Sequence, residues 1–104
     1  MKNERRTEVK QERFLGWTYE IVEQPASADT YSSYRSEWRY SPNWWDRLVD
    51  GCPKKPDADT AFTIESKTSL GCFNRGCEII DYRRDHNDLT GENEPDSIRS
   101  LHMA

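Results

Sequence analysis

Six of the twelve aromatic residues in this chain of 104 residues fall between residues 31 and 47. Aliphatic side chains are scarce. Even when phenylalanine is counted with leucine, isoleucine and valine, the total is only sixteen. Each buried ring removes on the order of 150–250 Å² from water, so the rings must supply most of a small core. Six rings exceed what one small sheet face can cover, and we expect some of them to form a contact surface. The six are Tyr31, Tyr34, Trp38, Tyr40, Trp44 and Trp45.

Two segments, residues 13–23 and 34–40, alternate between apolar and polar side chains with a period of two. This period predicts two half-buried strands. The apolar faces carry Trp17, Tyr19 and Ile21 in the first strand and Tyr34, Ser36, Trp38 and Tyr40 in the second. An antiparallel pair would place the rings of the two strands opposite one another, where cross-strand contacts stabilise a sheet.

A short helix is predicted over residues 43–50, ending at Gly51. Ser41 followed by Pro42 is typical of an N-cap and of the first helical position. One face of this helix carries Trp45, Leu48 and Val49, and we expect that face to lie on the sheet. Asp46, Arg47 and Asp50 lie mostly off it.

The second half of the chain predicts two more strands, at residues 60–68 and 77–84, with a turn at residues 74–76. The predicted order is therefore β-β-α-β-β, an α+β fold with an antiparallel sheet of about four strands and one short helix packed on it. We expect one domain over residues 13–84. A polar arm, residues 1–12, precedes it, and an acidic, flexible tail, residues 85–104, follows it.

The three cysteines allow one hypothesis about a metal. A hairpin turn between Cys72 and Cys77 would bring the two thiols opposite each other, and Cys52 and His86 would complete a Cys₃His zinc set. Structural zinc ligands usually come in tighter pairs, and neither Cys52 nor His86 lies at a typical spacing. We therefore expect small buried or half-buried thiols and no cofactor, with zinc as an alternative.

Asp57, Glu65 and Lys67 form a pattern that resembles the PD…(D/E)xK motif of metal-dependent nucleases. The resemblance implies that the two carboxylates hold Mg²⁺ near a phosphate and that the lysine steadies the attacking water or the charge. An extended chain between the two carboxylates would separate them by about 3.3 Å per residue, too far to share an ion. A minimal nuclease is therefore the alternative function, and catalysis is not our first expectation.

The net charge, the length of the apolar stretches and the number of cysteines limit the classes of partner and the compartment. The net charge is −4, so the chain lacks the cationic surface that non-specific duplex binding requires. No apolar stretch is long enough to span a bilayer, and an odd number of cysteines favours a reducing compartment. We therefore expect a cytoplasmic protein that binds neither membranes nor nucleic acid.

Tryptophan, tyrosine and arginine together are typical of protein-interface hot spots. We expect a small, acidic, non-catalytic protein-binding module whose surface lies in residues 31–47. Small acidic domains of this kind are common among phage and mobile-element proteins that inhibit a host protein or a defence complex, and we expect such an inhibitor. The predicted contact residues are Tyr31, Arg35, Arg39, Trp44 and Arg47, while Trp38, Tyr40 and Trp45 pack inward. Self-pairing of residues 31–40 into a homodimer is an alternative.

Overall fold

The structure is a computed structural model that describes residues 10–25 and 33–102. It shows an α+β fold with a four-stranded antiparallel sheet, as the sequence predicted. The strands, in the order β1-β2-β3-β4 across the sheet, are β1 (Lys10–Phe14), β2 (Trp17–Gln24), β3 (Ser33–Tyr40) and β4 (Phe62–Ser66). The helices are α1 (Trp44–Val49), α2 (Ser69–Asp85) and α3 (Asp96–Arg99), followed by a 3₁₀ turn over Ser100–His102. No helix in these residues combines the length and the apolar character that crossing a bilayer requires.

The predicted pairing of the two aromatic strands is confirmed. Trp17 lies opposite Tyr40, and Tyr19 lies opposite Trp38. The ring centroids of these two pairs are 5.2 Å and 4.3 Å apart, so the rings of β2 and β3 contact each other directly. Cross-strand aromatic pairs add packing energy beyond the area they bury. The sheet is therefore held mainly by rings, as the scarcity of aliphatic residues required.

Trp38 lies at the centre of the core and is fully buried. Its indole stacks on Tyr19 on one side, and on Phe62 of β4 with ring centroids 5.8 Å apart. The indole N–H of Trp38 donates to the hydroxyl oxygen of Ser36 at 2.8 Å, so its one polar group is satisfied within the core. The inward position predicted for Trp38 and Tyr40 is thus confirmed.

A strand that the sequence analysis did not predict opens the sheet. β1 begins at Lys10, inside the segment predicted as a polar arm, and Phe14 pairs with Trp17 across a two-residue turn. The turn residues Leu15 and Gly16 have φ angles of +52° and +88°, the left-handed region that such tight hairpins require. Leucine is a rare residue there, which is why the turn gave no sequence signal.

The fourth strand predicted over residues 77–84 is wrong, and so is the turn at residues 74–76. Both lie within helix α2, whose N-cap Thr68 accepts a hydrogen bond from the backbone N–H of Gly71 at 2.9 Å. The order in the described residues is β-β-β-α-β-α-α with a final 3₁₀ turn, and α2, not α1, covers the sheet. The buried face of α2 carries Cys72, Gly76, Ile79, Ile80 and Arg83.

Gly76 explains why α2 approaches the sheet so closely. A Cβ atom at this position would lie 2.0 Å from Cζ2 of Trp38, so only glycine leaves room for the indole. The glycine that suggested a turn is in fact a packing position in the middle of a helix. Its cost in helix propensity is offset by the contact that it permits.

The end of α2 and the segment that follows it contain buried charged side chains. Arg83 donates from Nε to Glu94 Oε2 at 2.7 Å, and its Nη1 donates to the carbonyl oxygens of Thr60 and Leu89. The carboxylate of Asp88 accepts hydrogen bonds from the backbone N–H groups of two following residues. Two of the five carboxylates in the predicted acidic tail are therefore buried. The domain boundaries at residues 12 and 84 and the flexibility of the tail remain predictions.

Candidate binding surface

Helix α1 begins at an unusually complete N-terminal cap. The prediction that Ser41 is the N-cap and Pro42 the first helical residue is wrong, because Asn43 occupies the N-cap position. Asn43 Oδ1 accepts from the backbone N–H of Asp46 at 2.7 Å, and the Asp46 carboxylate accepts from the backbone N–H of Asn43 at 3.0 Å. This reciprocal pair is a capping box, which stabilises a helix of only six residues without help from buried side chains.

Asp46 also attaches α1 to the sheet. Arg13 of β1 donates to the Asp46 carboxylate, and also to the carbonyl oxygen of Ser41 at 2.8 Å. The backbone N–H of Asn43 and the Arg13 guanidinium hold the pKa of Asp46 below its usual value. Only 13% of the Asp46 side chain is exposed. Asp46 therefore faces the body of the protein, whereas Arg47 of the same helix is exposed.

The apolar side of α1 faces solvent. Trp44 is 68% exposed and Leu48 is 72% exposed, and Trp45 and Val49 are also more than half exposed. The prediction that Trp45, Leu48 and Val49 lie on the sheet is wrong, because the ion pair of Asp46 turns the opposite side of the helix inward. The four residues span about 140° of the helix circumference, and we call them the α1 apolar surface.

Within the α1 apolar surface the two indoles are ordered against each other. Trp44 and Trp45 contact edge to face, with ring centroids 5.3 Å apart and planes at 90°. This is a preferred geometry for aromatic pairs. The two largest side chains of the surface are thus held by each other and by a capped helix, although neither is covered.

A shallow cleft of about 490 Å³ lies between α1 and the chain that follows it. Its apolar lining comes from Trp44, Leu48 and Pro53, with Cys52 beneath. Two exposed cations, Arg47 and Lys54, complete the lining. An apolar cleft bordered by cations can take an apolar side chain and an anion together.

The predicted contact residues fall into two places. Trp44 and Arg47 lie on α1, whereas Arg35 and Arg39 lie on the face of β3 that points away from the core. Glu37 lies 3.6 Å from Arg35 and 3.8 Å from Arg39, so both arginines have an acidic neighbour. Tyr31 lies outside the described residues.

The residues of the zinc hypothesis do not come together as expected. Cys72 and Cys77 do not face each other across a hairpin, because both lie on α2 and are about 140° apart around its axis. Burial raises the pKa of Cys52, Cys72 and Cys77, which favours the unreactive thiol over the thiolate that binds metals. Residues 10–25 and 33–102 contain no group of three or more histidine, cysteine or acidic residues placed to hold a metal.

The nuclease-like residues lie on exposed positions of a loop and a strand. Asp57 lies in the loop between α1 and β4, Glu65 lies on the open face of β4, and Lys67 follows the end of that strand. Glu65 is in register with Arg35 of the neighbouring strand. All three residues are exposed.

The outward direction of Leu48 and Val49 and the contribution of Pro53 and Lys54 were not predicted from the sequence. The amphipathic pattern of α1 was visible, but its direction depends on Arg13, which is 33 positions from Asp46 in the chain. The sequence signal for this direction was Asp46 at the third helical position, beside an apolar stripe of only four residues.

The chain matches no known protein family, no curated protein and no solved structure.

Proposed function

We propose that this protein is a non-catalytic protein-binding module that holds its partner on the α1 apolar surface. The observation that carries the proposal is the orientation of α1, whose Asp46 is tied to the sheet by Arg13 while its tryptophans, leucine and valine face water. Amphipathic surface helices normally turn their apolar stripe to the core. Contiguous exposed apolar residues rimmed by polar ones mark interaction sites.

The composition and order of the surface favour a protein as the partner. Tryptophan and arginine are the residues most enriched at binding hot spots, and Trp44 and Arg47 lie on the same short helix. The capping box and the Arg13–Asp46 ion pair order this helix before any partner arrives. Binding a preformed surface loses less conformational entropy than ordering a flexible one.

A more specific proposal concerns the effect of binding on the partner. A small acidic domain without a recognisable catalytic motif fits an inhibitor that blocks a host protein or a defence complex on behalf of a phage or mobile element. This form rests on composition, as does the cytoplasmic location that we propose for it. Arg35 and Arg39 would contribute a secondary contact if the partner extends over the open face of β3.

Affinity capture with quantitative mass spectrometry tests the proposal. The wild-type protein is compared with the double variant Trp44→Ala/Leu48→Ala and with Leu70→Ala as a matched control. Leu70 is 64% exposed but lies at the start of α2. We expect the α1 double variant to lower recovery of specific partners by more than about tenfold, and Leu70→Ala to leave it unchanged. Equal recovery by both variants would remove the α1 apolar surface from the function.

A nicking assay with divalent metal ions tests the catalytic alternative separately. We expect no metal-dependent cleavage of nucleic acid by the wild-type protein. Cleavage that disappears in the Glu65→Ala variant, while the variant unfolds at the same denaturant concentration as the wild type, would make the protein a nuclease and reverse the proposal.

A further inference from the structure

The cleft beside α1 indicates the chemistry of the partner, provided that the proposed function holds. Its walls are the Trp44 indole, the Leu48 side chain and Pro53, which offer apolar surface on more than one side. Its volume of about 490 Å³ falls in the range of clefts that bind ligands. An apolar side chain of the partner that enters this cleft would bury indole and leucine surface that is now in water.

Two cations line this apolar site, and a third follows them in the chain. Arg47 and Lys54 line the cleft, and Lys55 follows in the chain; all three are exposed. Among the residues that the structure describes, none of these three cations forms an ion pair.

Among the described residues, no carboxylate lines the cleft. Asp46 is already paired with Arg13 and turned toward the sheet, which leaves Asp50 as the exposed carboxylate of α1 and its C-cap. The lining of the cleft is therefore cationic, with the exposed carboxylates Asp50 and Asp57 close by in the chain but outside the lining.

We infer that the cleft binds an acidic segment of a partner protein in which a large apolar side chain is flanked by carboxylates. The apolar side chain packs between Trp44 and Pro53, and the flanking carboxylates accept hydrogen bonds from Arg47 and Lys54. An arginine–carboxylate contact is charge-assisted and can be bidentate, which adds orientation as well as affinity. Opposite charges at an interface also speed association and exclude partners of the wrong sign.

The charge pattern favours this occupant over a second copy of the chain. A two-fold dimer through this cleft would bring Arg47 and Lys54 of both copies together, like charge against like charge, whereas an acidic segment meets these cations with the opposite charge. The open face of β3 lacks such an excess of one sign, because Glu37 neighbours both Arg35 and Arg39.

Fluorescence anisotropy with short synthetic peptides tests the inference. One peptide carries a central tryptophan flanked by glutamates; three matched peptides replace the glutamates by lysines, the glutamates by glutamines, or the tryptophan by alanine. We expect the glutamate–tryptophan peptide to bind at least about tenfold more tightly than any of the other three. In the variant Arg47→Glu/Lys54→Glu this preference should disappear, and in Arg39→Glu, a charge reversal on the open sheet face, it should persist.

Three outcomes would overturn the inference. The first is equal binding of the lysine- and glutamate-flanked peptides, and the second is no binding of any peptide at millimolar concentration. The third is a dimer of the wild-type protein that Trp44→Ala dissociates, since a second copy would then occupy the cleft.

Failure of the inference can be told apart from failure of the proposed function. If capture of the partner depends on Trp44 and Leu48 but not on Arg47, Lys54 or salt concentration, the α1 apolar surface binds protein without the acidic segment. If capture of the partner does not depend on Trp44 and Leu48 either, the proposed function fails together with the inference.

Discussion

Helices α1 and α2 place their apolar residues in opposite directions. α2 presses Ile79 and Ile80 onto the sheet and leaves mostly polar residues in water. α1 has no buried residue, exposes Trp44 and Leu48, and turns Asp46 toward the sheet. The apolar side of α2 therefore forms part of the core, whereas the apolar side of α1 is exposed to solvent.

The difference separates stability from binding in this molecule. Apolar side chains that are buried in the folded state stabilise it by the area removed from water, while exposed ones add almost nothing to the free energy of unfolding. Substitutions on the two sides of this comparison should therefore affect different measurements. The following predictions test that separation, from the largest expected effect to the smallest.

Trp38→Ala should lower the free energy of unfolding by about 3–5 kcal/mol, the usual range for deleting a large buried ring. The indole is fully buried between Tyr19 and Phe62, so its removal leaves a cavity under α2. Urea denaturation followed by circular dichroism measures the change. The matched control is Trp44→Ala, which should alter it by no more than about 0.5 kcal/mol. A Trp38→Ala protein as stable as the parent would show that the core is elsewhere.

Gly76→Ala should lower the free energy of unfolding by about 1–3 kcal/mol, although alanine is the better helix former. The added methyl group would overlap the Trp38 indole, so the helix or the ring has to move. Asn74→Ala, at an exposed position of the same helix, is the control and should be neutral or slightly stabilising. Stabilisation by both substitutions would mean that α2 does not press on Trp38.

Asp46→Asn should cost about 0.5–1 kcal/mol at neutral pH, and the cost should vanish in acid. The pKa of Asp46 is lowered in the folded protein, chiefly by the backbone N–H of Asn43 and then by Arg13. Its carboxylate therefore stabilises the fold above the ordinary pKa of about 3.9, and this stabilisation is lost as the pH falls through the lowered folded value.

Denaturation of both proteins across the acid range measures this dependence. Asp50→Asn, at the exposed C-cap of the same helix, is the control and should change the free energy of unfolding by no more than about 0.5 kcal/mol at neutral pH. A cost of Asp46→Asn that stays constant down to strong acid would contradict the ionic attachment of α1.

Leu48→Ala combined with Val49→Ala should change the free energy of unfolding by less than about 0.5 kcal/mol, because both side chains are already in water. Thermal melting measures this smallest effect, and Ile80→Ala, which removes a fully buried side chain, is the contrasting control. A loss of stability near that of Ile80→Ala would mean that α1 packs on the body through its apolar side.

Much of the sheet could be predicted from the sequence because alternation needs no knowledge of the rest of the chain. The period-two pattern located β2 and β3, the rings that pair across them and the inward position of Trp38. β1 escaped because its turn uses Leu15, which is rare at positive φ, and because its side chains lack the alternation of a half-buried strand.

Helix α2 could have been recognised only by counting unusual core residues. Its buried positions, Cys72, Gly76, Ile79, Ile80 and Arg83, recur at helical spacing. Arginine is seldom fully buried and glycine is a poor helix former, so two of the five did not indicate a buried helix face, and the adjacent isoleucines favoured a strand. Gly76 is buried beneath the Trp38 indole, and Arg83 is buried in an ion pair with Glu94. Neither partner belongs to α2, so the local pattern of the helix does not show these contacts.

The amino-acid sequence by itself determined that rings would hold this domain together, that two aromatic strands would pair, and that residues 44–49 would form an amphipathic helix. These follow from local spacing, since strand and helix periods are properties of neighbouring residues. Only the tertiary structure decided which helix covers the sheet and which way α1 faces. Both depend on contacts between residues far apart in the chain, Gly76 under Trp38 and Asp46 beside Arg13, whose free energies local patterns do not contain.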